Sequence, residues 1–388
     1  MKPTYVNSSL ANTFAGRTLR KRLPSILKSV IKKNRYRKEP KQNLKQLLNE
    51  LPYAQIKPFD YINNEEEKYW QALFEEFAET PWIDLPFYLA EALFYRKILK
   101  ATNWYDNHKD PFLKHKEENL EAQAKSIHQL LGNTKKLLDQ PFNEEDFIYL
   151  LKQNLWGNQA DLSLFYDGNI PESSANKQEY LLHDDSIACS KYISKGCQQI
   201  DFLIDNVGIE LVGDICLAIY LLKHEKAQSI NFHVKAAPLF VSDAMEVDVR
   251  LQIENITEQH SKFASIAMLF NEFVEAGKIQ VLPDLYWNSP LFYNWLPPHL
   301  EENFKKSSLT ISKGDAHYRR FLQDSMWNHD EPLNTVIDFF GTPLWLLRTL
   351  KSEVLAGVEN NAVIKAEKLD KNWLTNGKFG VIQFHNFQ

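Results

Sequence analysis

In Phe202-Leu203-Ile204-Asp205-Asn206-Val207-Gly208-Ile209-Glu210 an apolar run ends abruptly at an acid and an amide, and a glycine then leads into Ile209, Val212, Cys216 and Ile219 at helical spacing. The run reads as a strand and the sequel as a helix. Outward from it the same rhythm recurs. Apolar runs at 201–204, 230–234, 279–282, 309–311, 344–347 and 380–384 alternate with helical patterns at 208–224, 258–276 and 316–324. Such alternation predicts an α/β protein whose mostly parallel sheet carries helices on both faces. Ligands of such sheets collect at the carboxyl ends of the strands.

The first half has a different texture. Helical spacing covers 66–78, 84–101 and 117–140, with Pro81-Trp82 separating the first two. Residues 1–180 therefore read as a helical N-terminal region and 181–388 as the α/β core. Residues 1–45 carry 13 Lys/Arg and a single acid, Glu39, while the whole chain has net charge −5. That basic arm fits a nucleic-acid or membrane tail, a transit peptide, or a helix docked on an acidic body. The spacing of Leu23, Ile26, Leu27, Val30 and Ile31 favours the docked helix.

Composition narrows the class. With 388 residues, 44% of them hydrophobic, a large core is expected. Overall charge is near balance, so no nucleic-acid partner is indicated. No apolar run reaches the roughly 18 residues of a membrane span. Cys189, Cys197 and Cys216 lack a pairing pattern and read as free thiols in a reducing, cytoplasmic setting. The oligomeric state is not readable from the sequence; a monomer is plausible.

The strand ends supply the candidate chemistry. Asp205 and Asn206 offer hard oxygen ligands suited to Mg²⁺ or Mn²⁺. Glu210 follows Asn206 by one helical turn and shares its face. The competing reading of Asp205 is an ordinary helix N-cap. Leu239-Phe240-Val241-Ser242-Asp243, after the strand at 230–234, ends at a further acid that reaches the same place if the strands are neighbours; Ser242-Asp243 also reads as a cap. Ile311-Ser312-Lys313-Gly314-Asp315 runs a strand through Lys-Gly into a helix, a natural phosphate cradle. Arg348 and Lys351 follow the run at 344–347, and by themselves read as surface charges. His183 and His233 are isolated and read as structural or surface groups. The chain has no GxxxxGK[ST], HExxH, GxSxG or GxGxxG motif.

Taken together these segments resemble the damage-control phosphatase family, domain of unknown function 89, in the subgroup of acidic-residue methyltransferase-like proteins with an Arg-Thr-x-Lys motif, here Arg348-Thr349-Leu350-Lys351. Arg22-Leu23-Pro24, Ala90-Glu91, Tyr95-Arg96, Leu155 to Ser163, Asp205 to Glu210, His233 to Asp243, Trp287-Asn288-Ser289-Pro290, Lys313-Gly314-Asp315 and the 377–384 tail match in order. The resemblance implies a helical N-terminal region packed on a three-layer α/β/α core. It implies hydrolysis of small phosphate monoesters, such as fructose 1-phosphate, with a divalent metal: Mn²⁺ or Mg²⁺, with Co²⁺ or Ni²⁺ as alternatives. By the same matching Asp205, Asn206 and Asp243 are metal ligands. Glu91, Lys313, Gly314, Asp315, His317 and Lys351 line the substrate pocket, with Asn158, Glu210 and Arg348 joining them. It also makes Arg17 to Ile31 the family's first helix rather than a transit peptide.

Two positions depart from the pattern. His317 stands where relatives usually have Asn, and Ser312 replaces an apolar residue. An exposed helix histidine is the plainer reading of His317. The expected chemistry is phosphoryl transfer to water, with Lys313, Lys351 and the amides after Gly314 on the phosphate oxygens. Asp315 orients the water or binds metal, and Asp205 serves as ligand or as nucleophile. The rival enzyme class is methyl transfer from S-adenosylmethionine to protein carboxylates. Its usual glycine-rich loop is replaced here by Asp-Asn-Val-Gly-Ile-Glu. A non-catalytic sugar-phosphate-binding protein is the third reading.

Overall fold

The computed structural model describes residues 4–57, 64–157 and 179–387. Among them seven strands form one sheet: β1 (Leu181–Asp184), β2 (Cys197–Leu203), β3 (Ala227–Lys235), β4 (Ile279–Asp284), β5 (Leu309–Lys313), β6 (Leu344–Thr349) and β7 (Gly380–His385). Their order is β1-β7-β6-β5-β2-β3-β4. Neighbours run parallel except β6 and β7, which are antiparallel. From β2 the chain winds outward through β3 to β4. It then returns to the other side of β2 and continues through β5 to β6. The direction of winding thus reverses between β2 and β5, where crevices form at the carboxyl edge of such sheets.

Parallel strands covered on both faces bury every side chain, which is why they read as apolar runs. β5 and β6 are buried throughout. Phe202, Ile311, Trp345 and Leu347 pack on one face with helices Leu113–Leu138, Glu144–Trp156 and Ile209–Lys223. Leu203, Leu344 and Leu346 pack on the other with helices Leu23–Lys33 and Phe87–Ala101. The result is an α/β/α arrangement. Helix Ile209–Lys223 is buried from Ile209 to Leu222 on every side, because it lies between the sheet and the two long N-terminal helices. The amphipathic stripe read from its sequence is therefore only part of its buried surface.

The six expected strands are present, each lengthened by one to four residues. β1 was not anticipated: it is short, and its Leu-Leu-His-Asp pattern carries no apolar run. Helix Glu246–Gln259 was also missed, since charged residues interrupt its buried face of Val249, Gln252, Ile253 and Ile256. The pattern read at 258–276 corresponds to helix Ala264–Glu275. The basic arm docks as a helix. Leu23, Leu27 and Val30 are fully buried, Lys33 pairs with Glu118, and Ser29 Oγ lies 2.8 Å from His115 Nε2.

Candidate active site

Neither acid that the sequence left ambiguous is a helix cap. The first free amide of helix Ile209–Lys223 belongs to Ile209. It donates to Gln123 Oε1 at 2.8 Å, a side chain from the distant 113–138 helix. The cap residue is Gly208, at φ 80°. Likewise helix Glu246–Gln259 is capped from within, Asp248 Oδ2 accepting from Met245 N at 2.9 Å. Asp205 and Asp243 are thus released from local duty, yet both are buried, and buried carboxylates need partners.

The backbone brings the two acids together. Asn206 and Asp243 form an antiparallel bridge, flanked by Val207 N to Ser242 O and Ala244 N to Asp205 O, each 2.8 Å. Asn206 Nδ2 donates to Asp205 Oδ2 at 2.7 Å and to Glu210 Oε2 at 3.0 Å. Its Oδ1 accepts from Ser242 Oγ at 2.6 Å. Asp243 Oδ2 lies 3.3 Å from Lys235 Nζ. Burial first, then the neighbouring Asp243 and Glu210, push the Asp205 carboxyl well above the usual carboxylate range. Burial does the same to Asp243, against the pull of Lys235.

Lys313, at the end of β5, points into this cluster from the other side. Its Nζ donates to Asn154 O at 3.2 Å and stands 3.3 Å from Asp214 Oδ1 and 3.5 Å from Glu210 Oε1. Burial opposes its charge, but Asp214 and Glu210 outweigh that and raise its pKa. Asp214 is itself raised to about 6, mainly by burial, although Lys313 pulls it down. Asp205, Asp243, Glu210 and Asp214 are each no more than 4% exposed, and the fully buried amines facing them are Lys235 and Lys313. Burial and this crowding of acids raise the Asp205, Asp243 and Asp214 carboxyls, and a divalent cation would supply the positive charge that keeps them ionised.

The donor chemistry fits such a cation. Among the described residues no three His, Cys, Asp or Glu side chains are arranged to hold a metal by themselves. Asp205, Asn206 and Asp243 instead make a mixed set of two carboxylates and one carboxamide, all hard oxygen donors. The Asn206 amide nitrogen sits between two carboxylates, where a cation has the same attractions. Turning that amide over presents its oxygen there, and the Ser242 hydroxyl can serve either end.

Gly314 explains why the Lys-Gly pair follows β5. It adopts φ 78°, and a Cβ at this position would lie 1.8 Å from Asp205 Oδ2. Only glycine lets the β5 turn approach the β2 carboxylate so closely. Asp315 faces away from that contact. Its Oδ1 accepts from Arg348 Nε at 2.8 Å, Lys351 N at 3.2 Å and Ser352 Oγ at 3.1 Å. Despite burial, Arg348 holds its carboxyl below the usual range. Arg348 is no surface charge: it is fully buried, stacks on Tyr318 and donates to Ser352 Oγ at 2.9 Å. Arg348 and Asp315 thereby fix the backbone that carries Lys351. Lys351 is close enough to lower the Asp205 pKa.

The exposed reading of His317 is overturned. It is 1% exposed, with Nε2 2.9 Å from Lys235 Nζ and Nδ1 bonded to Tyr293 Oη. Because Gly314–Phe321 starts at the sheet edge, this helix turns His317 inward. Burial and Lys235 keep the ring neutral. His233 is structural, as read: its Nε2 lies 2.8 Å from Asp201 Oδ1, beneath Trp287. His183 pairs with Asp185 at 2.9 Å, partly exposed. Glu91 is held by Arg319 Nη1 at 2.6 Å and is not in hydrogen-bonding contact with the Asp205 cluster. Asn158 lies outside the described residues.

A cleft of about 690 Å³ opens at the ends of β3 and β4, bordered by Lys235, Met245, Glu246, Asp284 and His299. Its volume suits a small metabolite. Asn288 braces its wall, accepting from Ala236 N at 2.9 Å and Ala237 N at 3.1 Å and donating to Ala237 O at 2.7 Å. Replacing Asn288 by alanine is expected to cost about 2–3 kcal/mol in urea unfolding, since two backbone donors lose their acceptor.

Residues 18–365 match the family model described as the damage-control phosphatase ARMT1-like domain. The chain belongs to this family. It is 28% identical to the human protein called damage-control phosphatase ARMT1, over 98% of each chain. To the zebrafish (Danio rerio) protein of that name it is 27% identical, over 99% of this chain and 97% of the other. To the bovine one it is 30% identical, over 83% and 80%. A crystal structure of a DUF89 family protein from Pyrococcus horikoshii is also similar, at 14% identity and TM-score 0.48, with 96% of each chain covered. The resemblance read from the motifs is thus borne out, and the chain is a phosphatase by family.

Within this damage-control phosphatase, sequence reading overlooked Lys235, Asp214, Asn154, Ser242 and Tyr293. Lys235 closes a strand as Lys313 does, and that position was the available signal. Asp214 is an acid inside an apolar helix, an anomaly visible in Val212-Gly213-Asp214-Ile215.

Proposed function

We propose that this protein hydrolyses phosphate monoesters of small metabolites, sugar phosphates such as fructose 1-phosphate among them, in a reaction that requires a divalent metal, Mn²⁺ or Mg²⁺. The observation carrying this reading is the buried excess of acid at the β2/β5 reversal: among the described residues Asp205, Asp243, Glu210 and Asp214 lie together there, with Lys235 and Lys313 as the amines paired with them. A protein tolerates that arrangement where an added cation completes it. Asp205, Asn206 and Asp243 would hold the ion. When bound, it would supply charge neutralisation for phosphate oxygens and a more acidic water.

The chain's own groups divide the remaining work. Lys351, carried on the loop pinned by Asp315 and Arg348, faces the phosphate. The amides after Gly314 lie at a helix start and favour anions. Lys313 holds Glu210 and Asp214 in place, so its part is to position the acidic face rather than to reach the ester. Asp315, whose Oδ1 is taken by Arg348 and the 351–352 loop, orients that loop. Asp205 is the acid best placed to meet an attacking water or the phosphorus itself.

Phosphate release from a panel of sugar phosphates, with Mg²⁺, Mn²⁺, Co²⁺ or Ni²⁺ and with a chelator, tests the proposal. Turnover of at least one substrate that the chelator abolishes and added metal restores is expected. Release that ignores the chelator, or none from any substrate, counts against it.

A further inference from the structure

Lys235 ends β3 and is 2% exposed. A lysine so deeply buried is normally matched by several acceptors. Here only His317 Nε2, at 2.9 Å, is at ordinary hydrogen-bond length. Ile204 O is 3.4 Å away. Asp243 Oδ2, 3.3 Å away, is the one carboxylate paired with it among the described residues. Lys313, the other fully buried amine, is embraced by Asn154 O, Asp214 and Glu210. Of the two, Lys235 is balanced by a single carboxylate where Lys313 has two, and it is the one that borders the cleft at the ends of β3 and β4.

We propose that Lys235 is an exchange cation: it balances Asp243 while no metal is bound, and contacts the substrate phosphate once a divalent cation takes Asp243 over. This rests on the phosphatase reading of the same site. The physics is that of two positive charges competing for one carboxylate. A cation on Asp243 removes the attraction that holds Lys235 and replaces it with repulsion. The freed amine has the cleft on one side and a neutral imidazole on the other. His317, fixed by Tyr293 at Nδ1, offers it a tether without charge. An ester phosphate then restores its balance.

The two halves of this role have opposite signs, which a structural lysine does not reproduce. Mn²⁺ is titrated calorimetrically into wild type, Lys235→Met and Lys235→Arg, and inorganic phosphate is then titrated into each Mn²⁺-saturated protein. Lys235→Met is expected to bind Mn²⁺ about tenfold tighter and phosphate at least about tenfold weaker, with Lys235→Arg within about threefold of wild type in both. Should Lys235→Met not fold, Lys235→Gln carries the same expectations. Unchanged or weaker Mn²⁺ binding in the neutral variant, or unchanged phosphate binding, overturns the assignment while leaving the metal site standing. If wild type takes up no Mn²⁺, the reading of the site fails first and this one with it.

Discussion

Asp205→Asn is expected to lower metal-dependent phosphate release on the order of 10³-fold, and at the same time to raise the Tm of the chelated protein. The first effect follows from removing a charged ligand from a set of three. The second follows from the geometry of the acids. Burial and the neighbouring Asp243 and Glu210 already disfavour the Asp205 charge. The neutral amide keeps the shape and can still meet Asn206, while the repulsion disappears. A gain of about 1 kcal/mol is the scale usual where activity and stability trade against each other. Thermal unfolding in chelator, beside a phosphate-release assay, reads both. A variant that lost activity and stability together would make Asp205 a structural residue.

Gly314→Ala is expected to be strongly destabilising. Its backbone sits at φ 78°, which costs an L-residue roughly 1–2 kcal/mol. The new methyl would also stand 1.8 Å from Asp205 Oδ2 and 2.4 Å from its Cγ. The short carboxylate has little room to swing away: it is buried, accepts from Asn206 Nδ2 at 2.7 Å, and the Asp205 Cβ itself would lie 2.9 Å from the new methyl. Something must move, either the β5 turn or the carboxylate, for a total of at least about 3 kcal/mol. Denaturant unfolding of Gly314→Ala and of the exposed-loop control Gly341→Ala separates strain from contact. Gly341 shares the positive φ, at 75°, but a Cβ there meets nothing. Equal losses in both would remove the close approach from the explanation.

How much of this was legible in the sequence depends on whether a partner is local. β2, β3, β5 and β6 were readable because strands buried on both faces leave mostly apolar runs. The acids at their ends were readable as candidates and no further. Asp205 looked like a cap because nothing near it in sequence shows that Gln123, 86 residues before Ile209, does the capping. Family resemblance, not spacing, chose the ligand reading. His317 and Arg348 looked exposed because polar residues usually are. Their burial comes from the angle at which helix Gly314–Phe321 leaves β5 and from the loop folded over β6. Lys235 was invisible as a site residue for the same reason: its neighbours Asp243 and His317 arrive from two other elements.

The most direct test is phosphate release measured against Mn²⁺ concentration for wild type, Asp205→Asn and Asp243→Asn, all first stripped with chelator. Saturable activation of the wild type is expected, with both variants inactive at Mn²⁺ levels that saturate it. Chelator-resistant turnover by the wild type, or variants activated by Mn²⁺ as the wild type is, would contradict a metal site built on these two carboxylates.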